Sequence, residues 1–282
     1  MILFAGPLRA SAFYPLTSKT RGRDLSMFGN PPGKLGYVRS APGPDKLPGG
    51  SYQFYGRPDS FIEFPNRGKL DTRTSITIIV WIYHEGRAGP IFNYMPNGWG
   101  VHLWMVTPNT LFARFTRRQG RTFTAPLSSR RITPRKWQYV AATYDYLTGY
   151  AKLYLDSRVI AQKKLGRIRL ATNYPVRMGV RKGDRRYFRG RISCVMVFDV
   201  ALNPNQIARR KKRCFRRKFA VDTFIGNTTL FFLMENLLFE IFRQLKNRKI
   251  TSKSNSKIQM FACLCLLWGP FFSLFTAGFA FL

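Results

Sequence analysis

The residues able to do chemistry in this 282-residue chain are few and unevenly placed. Before residue 214 only two glutamates occur, Glu63 and Glu85, in separate segments. A glycosidase of the two-carboxylate kind needs an acid and a nucleophile facing one sugar, and no acid-x-acid pair on an extended run supplies them. No G-x-S-x-G elbow offers a nucleophile. His84 and His102 stand far from any cysteine and read as ordinary strand or strand-end residues. The four cysteines, Cys194, Cys214, Cys263 and Cys265, lack C-x-x-C spacing, so a zinc site is not expected. The expectation is a chain that is not an enzyme.

Cations are abundant instead: 47 Lys and Arg face 13 Asp and Glu, a net charge of +34, with 38 basic and 10 acidic residues up to Cys214. Such a surface attracts polyanions, whether sulfated glycans, acidic lipids or nucleic acid. The arginines cluster at Arg114, Arg117, Arg118 and Arg121, at 130–136, at 163–169, and most densely at 181–191. Most fall in predicted turns, where they are expected to be exposed. Guanidinium groups bind sulfate and carboxylate in a planar, bidentate way, which suits heparan-sulfate-like glycans. The candidate glycan-binding residues are Arg117, Arg118, Arg121, Arg181, Lys182, Arg185, Arg186 and Arg189. The same clusters also read as a solvated basic surface with no specific ligand. Trp99, in the glycine-rich PNGWG stretch 96–100, offers either a sugar-stacking face or a packing face at a strand edge.

These side chains need a scaffold, and 45% hydrophobic and 15% aromatic residues are enough to pack one. From about 10 to 200, Gly, Pro, Asn and Asp punctuate short runs rich in Ile, Val, Tyr, Phe and Thr, which is strand spacing. Strands are predicted at 52–55, 61–64, 75–83, 101–106, 111–115, 137–144, 150–155 and 192–198. The run 75–83 (SITIIVWIY) is apolar on both faces and reads as a central strand. The DYLTG stretch 145–149 makes a hairpin loop longer than two residues, whereas Asp156 and Ser157 sit where a two-residue turn would favour Asp-Gly. One helix start is explicit: Asn203 as N-cap, Pro204 at the first position, and Leu202 opposite Ile207 as a staple. The fold class is therefore all-β: a two-sheet antiparallel jelly-roll sandwich, a short helix after the last strand, and a separate hydrophobic C-terminal tail.

The order of motifs over 12–16, 49–66, 70–83 (LDTRTSITIIVWIY), 89–94 (GPIFNY), 136–145 (KWQYVAATYD), 148–161 and 187–207 (YFRGRISCVMVFDVALNPNQI) resembles the laminin-G-like and pentraxin-like domains of the concanavalin A-like lectin superfamily. The resemblance implies two six- or seven-stranded sheets, a secreted or cell-surface setting, and binding of glycans or proteins. It implies a disulfide between Cys194 and Cys214, whose loop of about 20 residues would contribute roughly 3 kcal/mol in an oxidising compartment; two unrelated reduced thiols are the alternative. Relatives often bind calcium at a rim loop. Here that loop, 181–186 (RKGDRR), holds one acid beside four cations, so no cofactor is expected and calcium, which wants six to eight oxygens, is disfavoured. Asp145 and Asp156 read as turn caps before they read as calcium ligands.

The domain is expected over 10–214, a basic and apolar linker over 215–257, and a hydrophobic tail over 258–282. That tail is 25 residues without a charge, long enough to span a bilayer or serve as an anchor segment although Gly269-Pro270 divides it. A buried hairpin and untranslated sequence appended by a wrong gene model are the alternative readings. Asn227, in Asn227-Thr228-Thr229, is a candidate glycosylation site. Residues 1–7 do not meet the description of a signal peptide, which leaves a secretion signal elsewhere or a fragment of a larger multidomain extracellular protein. The expectation is a non-catalytic extracellular or cell-surface adhesion module for anionic glycan or protein partners. The alternative is an intracellular polyanion-binding or nucleic-acid-binding protein, on the strength of the basic run 209–218 (RRKKRCFRRK), which also resembles a proprotein-convertase site.

Overall fold

The computed structural model describes residues 8–119 and 123–215. Arg121, Asn227, Cys263, Cys265, the tail 258–282, the linker from 216 onward and the side chain of Cys214 lie outside the described residues. The first seven strands are β1 (Ala12–Tyr14), β2 (Lys34–Leu35), β3 (Val38–Ala41), β4 (Ser51–Tyr55), β5 (Ile62–Phe64), β6 (Ile76–His84) and β7 (Gly89–Tyr94). Then come β8 (His102–Thr107), β9 (Thr110–Arg114), β10 (Leu127–Ser129), β11 (Trp137–Tyr144), β12 (Tyr150–Leu155), β13 (Arg158–Lys164), β14 (Val176–Met178) and β15 (Arg189–Phe198). A helix, α1 (Pro204–Arg210), and a 3-10 turn, Arg213–Phe215, follow.

Antiparallel pairing sorts these strands into two sheets. The first runs β13-β12-β11-β6-β15-β4-β3, with β1 laid on β15, and the second runs β10-β9-β8-β7-β14-β5-β2. The described strands thus number eight and seven, against the six or seven per sheet that the resemblance implied; the extra strand of the first sheet is the three-residue β1, laid on β15. Between the sheets lies one core. Ile76, Ile78, Val80 and Ile82 of β6 meet Leu103, Met105, Leu111 and Ala113 of the facing sheet's β8 and β9 within it, and Tyr14 stacks on Phe64 at 4.0 Å between centroids. Each of the larger side chains contributes about 1.5–3 kcal/mol on burial.

The run 75–83 is central, as its two apolar faces require. Its second face, Thr77, Ile79 and Trp81, is buried too, under the segment after β15. The Thr77 hydroxyl donates to Val200 O at 2.6 Å and accepts from Leu202 N at 2.9 Å. Tyr139 Oη donates to Ile207 O at 2.9 Å, and Trp81 packs edge-on to Phe215 at 5.7 Å. α1 starts where expected: Asn203 Oδ1 accepts from Gln206 N and Gln206 Oε1 from Asn203 N, both at 2.9 Å. Leu202 and Ile207 are both buried. The basic run is part of this lid: Arg210 donates to Leu8 O at 2.8 Å and Lys211 pairs with Asp156 at 2.7 Å.

Where β15 leaves β6 the register shifts between Ser193 and Met196. Buried Cys194 adopts φ +55 at this bulge and donates its N–H to Pro15 O at 3.0 Å. Gly190 lies earlier on the same strand, and a Cβ there would sit 2.1 Å from Tyr83 O. Only glycine lets β15 close onto β6 at that point.

The two-residue turn between β12 and β13 has both residues left-handed, Asp156 at φ +49 and Ser157 at φ +69, the geometry for which Asp-Gly is the favoured pair. The Ser157 hydroxyl is also buried without a hydrogen-bond partner. A left-handed non-glycine residue costs about 1–2 kcal/mol, against roughly 0.5–1 kcal/mol for glycine's extra unfolded freedom. Ser157→Gly is therefore expected to stabilise the chain by ~1 kcal/mol, a rise of about 2–4 °C in Tm; a thermal melt that falls instead would contradict this account of the turn.

Candidate functional site

The seven-stranded sheet has one face on the core and one turned away from it, and the outer face is organised by register. Pairings of Lys34 with Glu63, Glu63 with Arg177, Arg177 with Asn93, Asn93 with His102 and His102 with Arg114 place a row of polar side chains across β2, β5, β14, β7, β8 and β9. At one end the charges compensate, since Arg177 forms a salt bridge with Glu63. At the other end, His102 and Arg114 have no carboxylate partner among the described residues.

The next row out is aromatic. Trp104 lies opposite Phe112, and the His102 ring stacks on Phe112 at 5.8 Å with an interplanar angle of 16°. Trp99 arrives from the loop between β7 and β8, 5.2 Å from His102 and 5.5 Å from Trp104. Together with Val106, Arg114 and Arg186 these rings line a cleft of about 330 Å³.

The loop joining β14 to β15 forms one wall. Its backbone is held by Gly179 N to Pro90 O at 2.9 Å and Lys182 N to Pro96 O at 2.8 Å, and buried Phe188 anchors its end. Asp184 organises the cations: its carboxylate accepts from Arg186 Nη2 at 2.6 Å and Nε at 2.9 Å and from Arg181 Nη2 at 3.2 Å. Held in this way, the Arg181 guanidinium lies 3.9 Å from the Trp99 ring centroid and that of Arg186 4.8 Å from Trp104, within the range of cation–π attraction. The Arg186 hydrogen bonds hold the Asp184 carboxyl down to about 2 in pKa against its partial burial.

The structure divides the candidate residues. Arg181, Lys182 and Arg186 lie on the wall of the cleft or in its loop, with Lys182 and Arg185 exposed. Arg118 is not a free surface cation: it grips Asp71 in a two-pronged pair at 2.6 and 2.7 Å, which ties the β9–β10 segment to the loop before β6. Arg181 is likewise only 12% exposed, because the Trp99 ring and Asp184 cover it. Turn position alone therefore misled as to exposure in both cases. Arg117 is exposed and bridges to Leu170 through its backbone. Arg189 belongs to a second cleft, of about 390 Å³, with Tyr83, Glu85, Arg135 and Arg191 on the other sheet, where Glu85 takes up its charge at 3.1 Å. Sequence reading took His102 for an ordinary strand residue and named Arg114 only within a basic cluster, not among the candidate glycan-binding residues. Their signal is the alternation in HLWMV and TLFAR, where His102, Trp104, Phe112 and Arg114 all fall on the face away from the core.

Calcium does not fit the rim. Both Asp184 oxygens are committed to arginine, Asp145 caps its own turn through Leu147 N at 3.0 Å and Thr148 Oγ1 at 2.7 Å, and Asp156 pairs with Lys211.

His102 is the titratable group of the cleft. It is 1% exposed. Its Nδ1 lies 2.8 Å from Gly100 O, and since a carbonyl only accepts, Nδ1 carries the proton. Nε2 is buried with no hydrogen-bond partner. Burial, opposed by the bond to Gly100 and reinforced by the positive Arg114, Arg181 and Arg186, pushes its pKa down to about 4 from an ordinary 6.5. The folded state thus takes up this proton later than the unfolded chain. The contribution of neutral His102 is whole above about pH 6.5, is lost as pH falls toward 4, and levels off below; Asp184 remains ionised throughout that window. The loss is expected to be about 3 kcal/mol. Urea titrations at pH 7 and pH 4 should show the wild type losing this much more than a His102→Gln variant, and equal losses would refute the assignment.

Comparison with known proteins places this geometry. The family model described as the concanavalin A-like lectin/glucanases superfamily matches residues 56–208, more than half of the chain. No curated protein sequence matches significantly. Among solved structures, the binding domain of botulinum neurotoxin serotype D aligns with a TM-score of 0.58 and 14% identity over 74% of this chain and 52% of that one. The serotype G binding domain aligns at 0.55 and 15% over 71% and 50%. The binding domain of Paraclostridial Mosquitocidal Protein 1 aligns at 0.58 and 16% over 74% and 53%. The chain spans about half the length of these structures, and at such identities the likeness is one of fold. With its two antiparallel sheets, its helix after the last strand and the matched family model, the chain belongs to the concanavalin A-like lectin/glucanase superfamily.

Proposed function

We propose that this chain is a non-catalytic binding module for an anionic glycan of the heparan-sulfate kind, working in an extracellular or cell-surface setting. The observation that carries the reading is the rim of the seven-stranded sheet, where Arg181 and Arg186, held by Asp184, lie on indole faces beside exposed Lys182 and Arg185, which have no acid partner among the described residues. Arginine held in this way loses little freedom when it meets a sulfate or carboxylate. The half-buried rings of Trp99 and Phe112 add stacking surface for sugar rings. That the similar solved structures are themselves named binding domains supports a binding role in general.

Non-catalytic character is supported by the acids. Glu63 and Glu85 lie on different sheets, each paired with an arginine, so they do not make the facing carboxylates that glycoside hydrolysis needs. The extracellular setting includes the proposed Cys194–Cys214 bond, which would fasten the lid of α1 and the 3-10 turn to the bulge of β15.

Heparin chromatography of the full chain tests the reading. Retention to well above physiological salt is expected. The combined Lys182→Ser, Arg185→Ser and Arg186→Ser variant should elute at clearly lower salt, whereas Arg57→Ser with Arg73→Ser, away from the rim, should change elution little. Elution of the wild type at or below physiological salt, or equal shifts in both variants, would show a diffuse charge without a site.

A further inference from the structure

The cleft carries more information than its charge. Arg114 is partly buried, its Nε has no hydrogen-bond partner, and its guanidinium rests 5.3 Å from the Phe112 centroid with no acid paired to it among the described residues. Directly across the strand pair stands His102. Because Gly100 O takes the Nδ1 proton and also accepts from Thr116 Oγ1 at 2.9 Å, the imidazole is locked as the tautomer whose Nε2 is a bare lone pair. One group in the cleft therefore wants an acceptor with negative charge, and its neighbour wants a donor. Both are costly to leave unmet inside a protein.

A sulfate ion or a simple carboxylate answers only the first demand, since neither donates. A neutral sugar answers only the second. A ligand carrying an anionic oxygen group and a hydroxyl on one small ring answers both, and the C–H face of such a ring suits the half-buried phenyl ring of Phe112. Resting on the reading of the module as a binder of anionic glycans, we propose that this cleft is a subsite for a single acidic pyranose unit, with its anionic group on Arg114, a hydroxyl donated to His102 Nε2, and its ring against Phe112. Trp99 is the gate. It sits half-buried in a loop with glycine on both sides, within ring contact of His102, and it moves aside as the hydroxyl reaches Nε2.

Methyl glucuronide, methyl glucoside and sodium sulfate at matched ionic strength distinguish the components on the full chain, with tryptophan fluorescence and the His102 Nε2 chemical shift as readouts. Saturable changes in both signals are expected with methyl glucuronide, with at least tenfold weaker responses to the glucoside and to sulfate. Arg114→Gln should weaken the glucuronide response by tenfold or more while heparin retention shifts little; an unchanged unfolding midpoint establishes that the variant folds, and Arg114→Lys should restore part of the response. Heparin retention with no glucuronide response would overturn the subsite and leave the module's proposed function standing. Loss of heparin retention as well would overturn both. Equal responses to sulfate or to oligoglutamate would overturn the acidic sugar in favour of a cleft that reads charge alone.

Discussion

The burial of β6 on both faces is the constraint from which the rest of the sandwich follows. Its inner side chains, Ile76, Ile78, Val80 and Ile82, demand a second sheet, and its outer ones, Thr77, Ile79 and Trp81, demand a lid. The second sheet supplies the core, and residues 200–215 supply the lid through Thr77, Tyr139 and Trp81. A central strand that is apolar on both faces would otherwise expose an edge-to-edge apolar patch. The basic run 209–213 is thus placed by the need to cover Trp81, and its cations reach out from a packed backbone, with Arg210 and Lys211 finding partners on Leu8 O and Asp156.

Among the described residues no helix or further strand covers the outer face of the second sheet, and the candidate site lies there. Its outward side chains cover one another: Phe112 under His102 and Arg114, Trp104 under Arg186, Trp99 under Arg181. The fold of the rim loop depends on a single acid. Asp184 holds two guanidinium groups within 3.2 Å and leaves Arg185 and Lys182 outside the arrangement. The rim loop holds one carboxylate saturated by arginine, so its order comes from cation–π contact and hydrogen bonds.

What was legible in the sequence is what local pattern encodes. The two-faced apolar run at 75–83, the strand pairs around 137–155, the N-cap at Asn203 and the left-handed turn at Asp156-Ser157 each declare themselves within a few residues, and each stands where expected. β7, β13 and β14 did not. β7 is buried at every position and contains Pro90, β13 is polar on an edge, and β14 is three residues long, so none of them alternates. The site was less legible because it is a product of register. Nothing in the chain from 102 to 114 announces that His102 will stand opposite Arg114, or that Arg181 will find Trp99 some eighty residues earlier. Charge density marked the loop 181–186 for attention, but it could not separate Arg118, spent on Asp71, from Arg185, which has no such partner among the described residues.

The energetic logic of the rim follows from that distinction. A guanidinium bonded to an acid has already exchanged its water for a partner, and a polyanion must compete with that partner to use it. Arg114, which lies on Phe112 with no acid paired to it among the described residues, keeps its donors unspent while its plane is desolvated, whereas Arg181 and Arg186 lie on indole faces but also share the Asp184 carboxylate, with which a polyanion must compete. The attraction across such a surface is stronger than between solvated ions, because the effective dielectric is lower. Long-range pull toward polyanions comes from the whole excess of cations and is screened within about 8–10 Å at ordinary salt. Selectivity then has to come from the few groups fixed at short range, and on this molecule those are the arginines, indoles and imidazole gathered at one end of the seven-stranded sheet.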